Sequence, residues 1–350
     1  MTLHDFGFDT WVEEQASGLE AEGLEPARVS AVDRGALRVI TGRGEIPAEP
    51  SGRLCFSTED PADLPCVGDW VAAQTHNEGT QAIVHRVLGR RGLLRRRAPG
   101  TEHGFQMLAA NVDAAFLVQS CHYDFNPARL ERYLVMAADG GVEPVVLLTK
   151  ADLTAPEELE RMLRAVAGVT SARILALSVH TGEGLDRLGQ MLRPGRTYCL
   201  LGSSGVGKTT LLNRLLGAEF LGTGEVSTTG EGRHTTTRRQ LVRLAGGALF
   251  IDTPGMRELG LAGAADGLEA EFAEIALLAG QCRFADCRHE GEPGCAVGAA
   301  LSRGELAEER LASYRKLKRE SEFHGLSLVD RRRRDKAFGK MVKSIKKTLE

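Results

Sequence analysis

The 350-residue chain contains no apolar run approaching the ~20 residues that a membrane-spanning helix requires. Its first twenty positions carry Asp5, Asp9, Glu13 and Glu14 and lack the basic start and apolar stretch of a secretory leader, so a cytoplasmic protein is expected. Aromatic residues make up only 5% of the sequence, so base stacking is not expected to dominate any nucleic-acid contact. Net positive charge is also missing: the formal charge is -3, and the molecule as a whole does not resemble a nucleic-acid binder. Cysteine does not come in the even, spaced set of a disulfide framework. There are seven, and three crowd around one histidine, a pattern that fits metal binding.

The length calls for two or three domains. Residues 27–97 read as short strands (28–32, 36–40, 70–73 and 81–84) separated by turn formers such as Asp33, Gly35, Gly42, Gly44, Asn77 and Gly79. Such spacing suggests a small barrel, OB-type or SH3-like. From about Val112 the pattern changes to continuous apolar runs at 113–118, 144–148, 173–177, 198–201 and 248–251. Helical stretches at 128–138, 156–166 and 209–216 alternate with these runs, as in βαβ units around a mostly parallel sheet. After about Leu261 the chain turns helical and polar.

The run Gly202, Ser203, Ser204, Gly205, Val206, Gly207, Lys208, Thr209 fits G-x-x-x-x-G-K-[ST] and sits between an expected strand and an expected helix. Its glycines allow backbone N–H groups to surround phosphate oxygens at a helix N-terminus. Lys208 is expected to reach the β- and γ-phosphates, and Thr209, followed by Thr210, to offer a hydroxyl to Mg²⁺. Asp252, at the end of the strand 248–251, is expected to support Mg²⁺, and Gly255 to offer its N–H to the γ-phosphate. Thr235, Thr236 and Thr237 lie in a glycine-rich loop where one threonine could cap Mg²⁺ and sense the γ-phosphate.

Thr149, Lys150, Ala151 and Asp152 resemble the guanine-reading N-K-x-D motif, with Thr149 in place of the usual Asn. The Asp carboxylate accepts from guanine N1 and N2, which adenine cannot satisfy. Ser178 and Val179 open a segment (178–185) similar to the S-A-x-T-G-x-G-L stretch that backs guanine O6. These base-reading segments precede the phosphate loop, the reverse of the Ras-like order, so the domain is expected to be circularly permuted. Cys282, Cys287, His289 and Cys295, spaced C-x4-C-x-H-x5-C, supply a closed Cys₃His set for one structural Zn²⁺.

This ordered set of motifs resembles the circularly permuted, small ribosomal subunit-dependent GTPases of the RsgA/YjeQ family over nearly the whole chain. The resemblance implies a multidomain protein: an OB-type barrel, a central α/β permuted P-loop GTPase and a C-terminal α-helical zinc domain. Expected boundaries are 1–26 for an N-terminal extension, 27–100 for the barrel, 101–262 for the GTPase domain, and 263–350 for the zinc domain with its basic tail. The family works on the small ribosomal subunit late in its maturation, with turnover of GTP to GDP and phosphate stimulated by the subunit. A monomer contacting the subunit and its rRNA is therefore expected. Met256 stands where many GTPases carry a water-orienting Gln, and His234 is the candidate to replace it. Two basic clusters are candidate RNA surfaces: Arg86, Arg90, Arg91, Arg95, Arg96 and Arg97, and a tail from Arg310 to Lys347. An ATP-using P-loop enzyme and an RNA-binding assembly scaffold with little turnover are the competing readings.

Overall fold

The computed structural model describes residues 2–33, 36–58, 61–97, 105–123, 125–217, 239–252 and 265–325. Five strands come first: β1 (Glu25–Asp33), β2 (Ala36–Thr41), β3 (Gly44–Pro50), β4 (Trp70–His76) and β5 (Gln81–Val87). A short helix α1 (Thr10–Gln15) precedes them and α2 (Gly52–Ser57) lies between β3 and β4. Their pairing order is β1-β2-β3-β5-β4, and β4 returns to β1, which closes a barrel. The one parallel contact in the ring joins β3 to β5. A closed five-stranded ring with this connectivity is the OB arrangement, which removes the SH3-like alternative. Small and β-branched side chains fill it: Ala27, Val29, Val39, Ala48, Val71, Ala73 and Val84 are all buried.

A hairpin of β6 (Leu93–Arg97) and β7 (Phe105–Ala110) leads into the α/β region. There follow β8 (Ala114–Ser120), α3 (Pro127–Asp139), β9 (Glu143–Thr149), α4 (Pro156–Ala167), β10 (Arg173–Ala176) and α5 (Leu185–Met191). Next come β11 (Thr197–Leu201), α6 (Lys208–Leu216), β12 (Arg239–Arg243) and β13 (Leu249–Asp252). The sheet order is β10-β9-β8-β11-β13-β12, with every pairing parallel except the antiparallel edge strand β12. The central strands β8 and β11 are buried along their whole length because both faces are covered. Along β8, Ala115 and Leu117 pack towards α3 and α4 with Leu130, Leu134 and Val166. Phe116 and Val118 pack towards α5 and α6 with Leu188, Leu211 and Leu212. The rings of Phe116, Tyr198 and Phe250 stack across three neighbouring strands, with centroids 5.3–5.9 Å apart.

Barrel and α/β sheet are joined by backbone. Strand β12 pairs antiparallel with β1, Ala31 opposite Gln240 and Val32 opposite Arg239, so eleven strands form one sheet. The buried Arg28 guanidinium locks the same junction. It donates to the Phe6 carbonyl, to Gly68 O at 3.3 Å and to Thr197 Oγ1 at 2.7 Å. Burial pulls its pKa down to about 10, so it stays charged at neutral pH.

The C-terminal part holds α7 (Ala265–Glu271), α8 (Ala273–Ala279), α9 (Ala296–Ser302) and α10 (Glu308–Gly325). It docks on α3, whose Val135 joins Leu268, Phe272, Ile275, Val297 and Leu311 in one core. Contact between α3 and α7 is close enough that a Cβ on Gly267 would fall 2.5 Å from Val135 O. None of the described helices is long and apolar enough to cross a membrane.

Candidate functional site

The phosphate loop leaves β11 at Leu201 and enters α6 at Lys208, the strand–loop–helix setting the sequence predicts. Gly205 and Gly207 have φ of 82° and 96°, backbone that an L side chain rarely adopts. Gly202 is fixed by crowding instead, since a Cβ there would lie 2.4 Å from Val118 O of β8. The Lys208 ammonium is buried and donates to the carbonyls of Gly202 at 2.8 Å and Ser203 at 2.6 Å. Thr209 is half-buried on the first turn of α6 and Thr210 is exposed. Asp252 ends β13, next to β11, and is buried. Burial raises its pKa and the Lys208 ammonium opposes that rise.

Two of the T-K-A-D residues, Thr149 and Lys150, reach the loop from the far side of β8. Thr149 closes β9 and is buried, with Oγ1 2.7 Å from Val206 O and 3.1 Å from Gln119 O. The threonine, standing where the motif has Asn, thus ties this turn to the phosphate loop. Lys150 adopts φ 58° and donates to Gly205 O at 2.9 Å. Ala151 is buried, donating its N–H to Leu177 O at 3.3 Å, while Asp152 is exposed. Ser178 is buried; its Oγ accepts from Thr181 N at 3.1 Å and its carbonyl from Gly182 N, which folds 178–185 into a tight turn beside Ala151. Val179 is half-buried on that turn. The structure therefore brings together 149–152, 178–179, 202–210 and Asp252. His234, Thr235, Thr236, Thr237, Gly255 and Met256 lie outside the described residues.

Sequence reasoning missed two groups at this site. Gln119, buried near the end of β8, clamps the N-cap residue of α3: it donates to Asn126 O at 2.9 Å and accepts from Asn126 N at 3.0 Å. Arg129, in the first turn of α3, donates from Nη1 to Ser203 Oγ at 2.7 Å. Neither belongs to a recognisable spacing: Gln119 acts within the β8–α3 connection, and the partner of Arg129 lies 74 positions away.

The Cys/His cluster forms as predicted. The ligand atoms of Cys282, Cys287, His289 and Cys295 all lie within 4.8 Å of one another. His289 Nδ1 is 3.7 Å from Cys282 Sγ and 3.5 Å from Cys295 Sγ. Bonds of about 2.3 Å to sulfur and about 2.0 Å to nitrogen at tetrahedral angles put S and N about 3.5 Å apart, so the donors fit zinc. His289 takes φ 61° to turn its ring inward, and Cys295 caps α9 by accepting from Gly298 N at 3.2 Å. Desolvation and the two neighbouring thiols push Cys287 up to about 11. A metal ligand must be a thiolate, so a cation bound here would be coupled to loss of the Cys287 proton.

Five of the six arginines of the basic cluster at the barrel's edge have partners within the chain. Arg86 pairs with Glu22 at 3.0 Å, Arg91 with Asp9, and Arg95 with Asp139 at 3.1 Å. Arg96 bonds Gln106 at 3.0 Å. Arg90 grips the fully buried Asp69 with two bonds of 2.8 Å and also donates to Ala62 O and Leu64 O. These arginines fasten the N-terminal segment, the barrel and the hairpin together. The tail beyond Gly325 lies outside the described residues.

A P-loop beside a T-K-x-D turn, on a sheet whose base-reading strands come first in the chain, defines a circularly permuted P-loop GTPase. The family model described as RsgA GTPase matches residues 87–262. A protein of Opitutus terrae named small ribosomal subunit biogenesis GTPase RsgA is 45% identical, covering 92% of this chain and 90% of its own. One of the same name from Streptomyces coelicolor is 43% identical, covering 91% of this chain and 87% of its own. Among solved structures, YjeQ from Thermotoga maritima is 28% identical with a TM-score of 0.62, covering 84% of this chain and 97% of that one. The chain belongs to the RsgA GTPase family, and its enzymatic class is GTP hydrolase.

Proposed function

We propose that this protein hydrolyses GTP while bound to the small ribosomal subunit, and that it serves that subunit's biogenesis as its relatives' names state. The observation that carries the reading is the tie between base-reading turn and phosphate loop: Thr149 to Val206 and Lys150 to Gly205. A guanine seated on Asp152, Ala151, Ser178 and Val179 thereby sets the phosphates against Gly202, Ser203, Ser204, Gly205, Val206, Gly207, Lys208, Thr209 and Thr210. Lys208, which now donates to loop carbonyls, turns to the β- and γ-phosphates. Thr209, Asp252 and one of Thr235, Thr236 and Thr237 would hold Mg²⁺, which would neutralise phosphate charge. By their motif positions we assign the Gly255 N–H to the γ-phosphate and His234 to the attacking water, Met256 standing where a Gln would do this. Cys282, Cys287, His289 and Cys295 hold one structural Zn²⁺, and the surrounding module with the basic tail contacts rRNA. The protein acts as a cytoplasmic monomer.

The corresponding division is 1–26, 27–100, 101–262 and 263–350. The closed ring β1–β5 supports the second unit, and the matched stretch 87–262 supports the third. Turnover with and without purified small subunits tests the function. Stimulation that vanishes in Lys208→Ala is the expected result; turnover indifferent to subunits would favour an RNA-binding scaffold. Asp152→Ala should lose GTP preference over ATP, and His234→Ala should lose stimulated turnover while retaining nucleotide.

A further inference from the structure

We propose that Arg129 is a positioning residue for the phosphate loop, and that it makes the C-terminal module part of the support of the nucleotide site. The inference rests on the reading that 202–209 holds the nucleotide's phosphates. Among the described residues, three side-chain tethers to that loop from outside it stand out. Two come from the base-reading turn and end on loop carbonyls, at Val206 and Gly205. The third is Arg129 Nη1 to Ser203 Oγ, 2.7 Å, and it ends on a loop side chain one residue past Gly202.

The position of Arg129 is itself fixed. Its backbone N–H donates to the Asn126 cap, and Asn126 is held on both sides by Gln119, whose carbonyl faces the Thr149 hydroxyl. The arginine is therefore presented by a bonded frame that includes the base-reading threonine. The same helix, α3, is also the dock of the C-terminal module. Two and three residues beyond Arg129, the buried Glu131 lies 3.6 Å from Arg310, and Arg132 pairs with Glu320 of α10 at 3.0 Å. Further along, Val135 sits in the module's core and Gly267 of α7 abuts the α3 backbone. One thirteen-residue helix thus carries the loop tether at its start and the module along its length. Helix α3 is one rigid element bonded to both the loop and α10, so a load on α10 has a contiguous route to Ser203.

The test measures binding of GDP and a non-hydrolysable GTP analogue to the full-length protein by calorimetry. Arg129→Ala should weaken binding about two- to tenfold, the range covered by one hydrogen bond's net contribution. Ser203→Ala should weaken it by the same factor, and the double variant no further, because each removes the same contact. Arg129→Lys, which keeps a donor, should recover part of the loss and keep the wild-type melting temperature without nucleotide. Glu320→Ala should weaken binding by a smaller factor in the wild-type background and leave Arg129→Ala unchanged. Wild-type affinity in Arg129→Ala, multiplying effects of Arg129→Ala and Ser203→Ala, or a Glu320→Ala effect independent of Arg129 would each overturn the proposal. Lys208→Ala binding as wild type would instead overturn the phosphate-loop reading beneath it.

Discussion

At the residue scale the site depends on contacts that tolerate little change. Gly202 has no room for a methyl group: its Cβ would overlap Val118 O, a backbone atom of a central strand. Gly202→Ala should therefore shift the loop and abolish nucleotide binding, measured by fluorescent GDP titration. Thr149→Val keeps shape but removes the hydroxyl, leaving the buried Val206 and Gln119 carbonyls without it. Unsatisfied buried acceptors cost ~1–3 kcal/mol, so a loss of that size in urea unfolding is expected, along with weaker GDP binding. The sequence showed that Thr149 was a departure. It could not show the compensation, since Val206 lies 57 positions away and only the sheet brings them together. The arginines 86–96 posed the opposite difficulty. As a string they read as a candidate RNA surface; their partners Glu22, Asp9, Asp69 and Asp139, which bind four of them, are scattered along the chain and gave no local signal. Local patterns such as G-x-x-x-x-G-K-T or the Cys/His spacing carry their partners with them and were legible; long-range pairs were not.

At the element scale, helix limits at α3, α4 and α6 fell within a residue of those read from apolar spacing, because Pro127, Pro156 and the loop glycines mark their starts. The element-level prediction concerns the α3–α7–α10 contact, where one guanidinium faces three carboxylates. Arg310 meets Glu274 at 2.9 Å and Glu131 and Glu271 at 3.6 Å each, and lies over the Phe272 ring. Burial raises Glu271 from 4.5 to about 7 despite Arg310, and Glu131 moves the same way. A carboxyl whose pKa is higher folded than unfolded favours folding fully only while it is protonated in both states. As pH rises from 4.5 to about 7, the unfolded chain releases that proton first, so Glu271 makes the protein progressively less stable across this window. Zinc-saturated protein carrying Glu271→Gln should lose that slope, measured by chemical denaturation at several pH values. Removing the metal is the coarser perturbation. The core of α8, α9 and α10 is small, so a chelator should melt it while the sheet persists, read by circular dichroism and zinc release.

At the scale of the whole molecule, barrel and GTPase region share a buried cation and a backbone seam. Arg28→Met keeps much of the volume but strands the Phe6 and Gly68 carbonyls and the Thr197 hydroxyl. A single cooperative unfolding transition should then split, the barrel melting first, as scanning calorimetry would record. The strand runs foretold a barrel and a parallel sheet separately. Nothing in the order of residues announced that β1 and β12, two hundred positions apart, would be hydrogen-bonded neighbours.

That seam has a mechanical meaning. Strand pairing moves only in whole steps, and a slip of one residue would turn the buried Leu241 and Val242 to the wrong faces of the sheet. The join of Ala31 to Gln240 and Val32 to Arg239 is therefore a detent rather than a spring. A small tug on β12 moves the barrel as a whole, and a tug strong enough to break the register releases it outright.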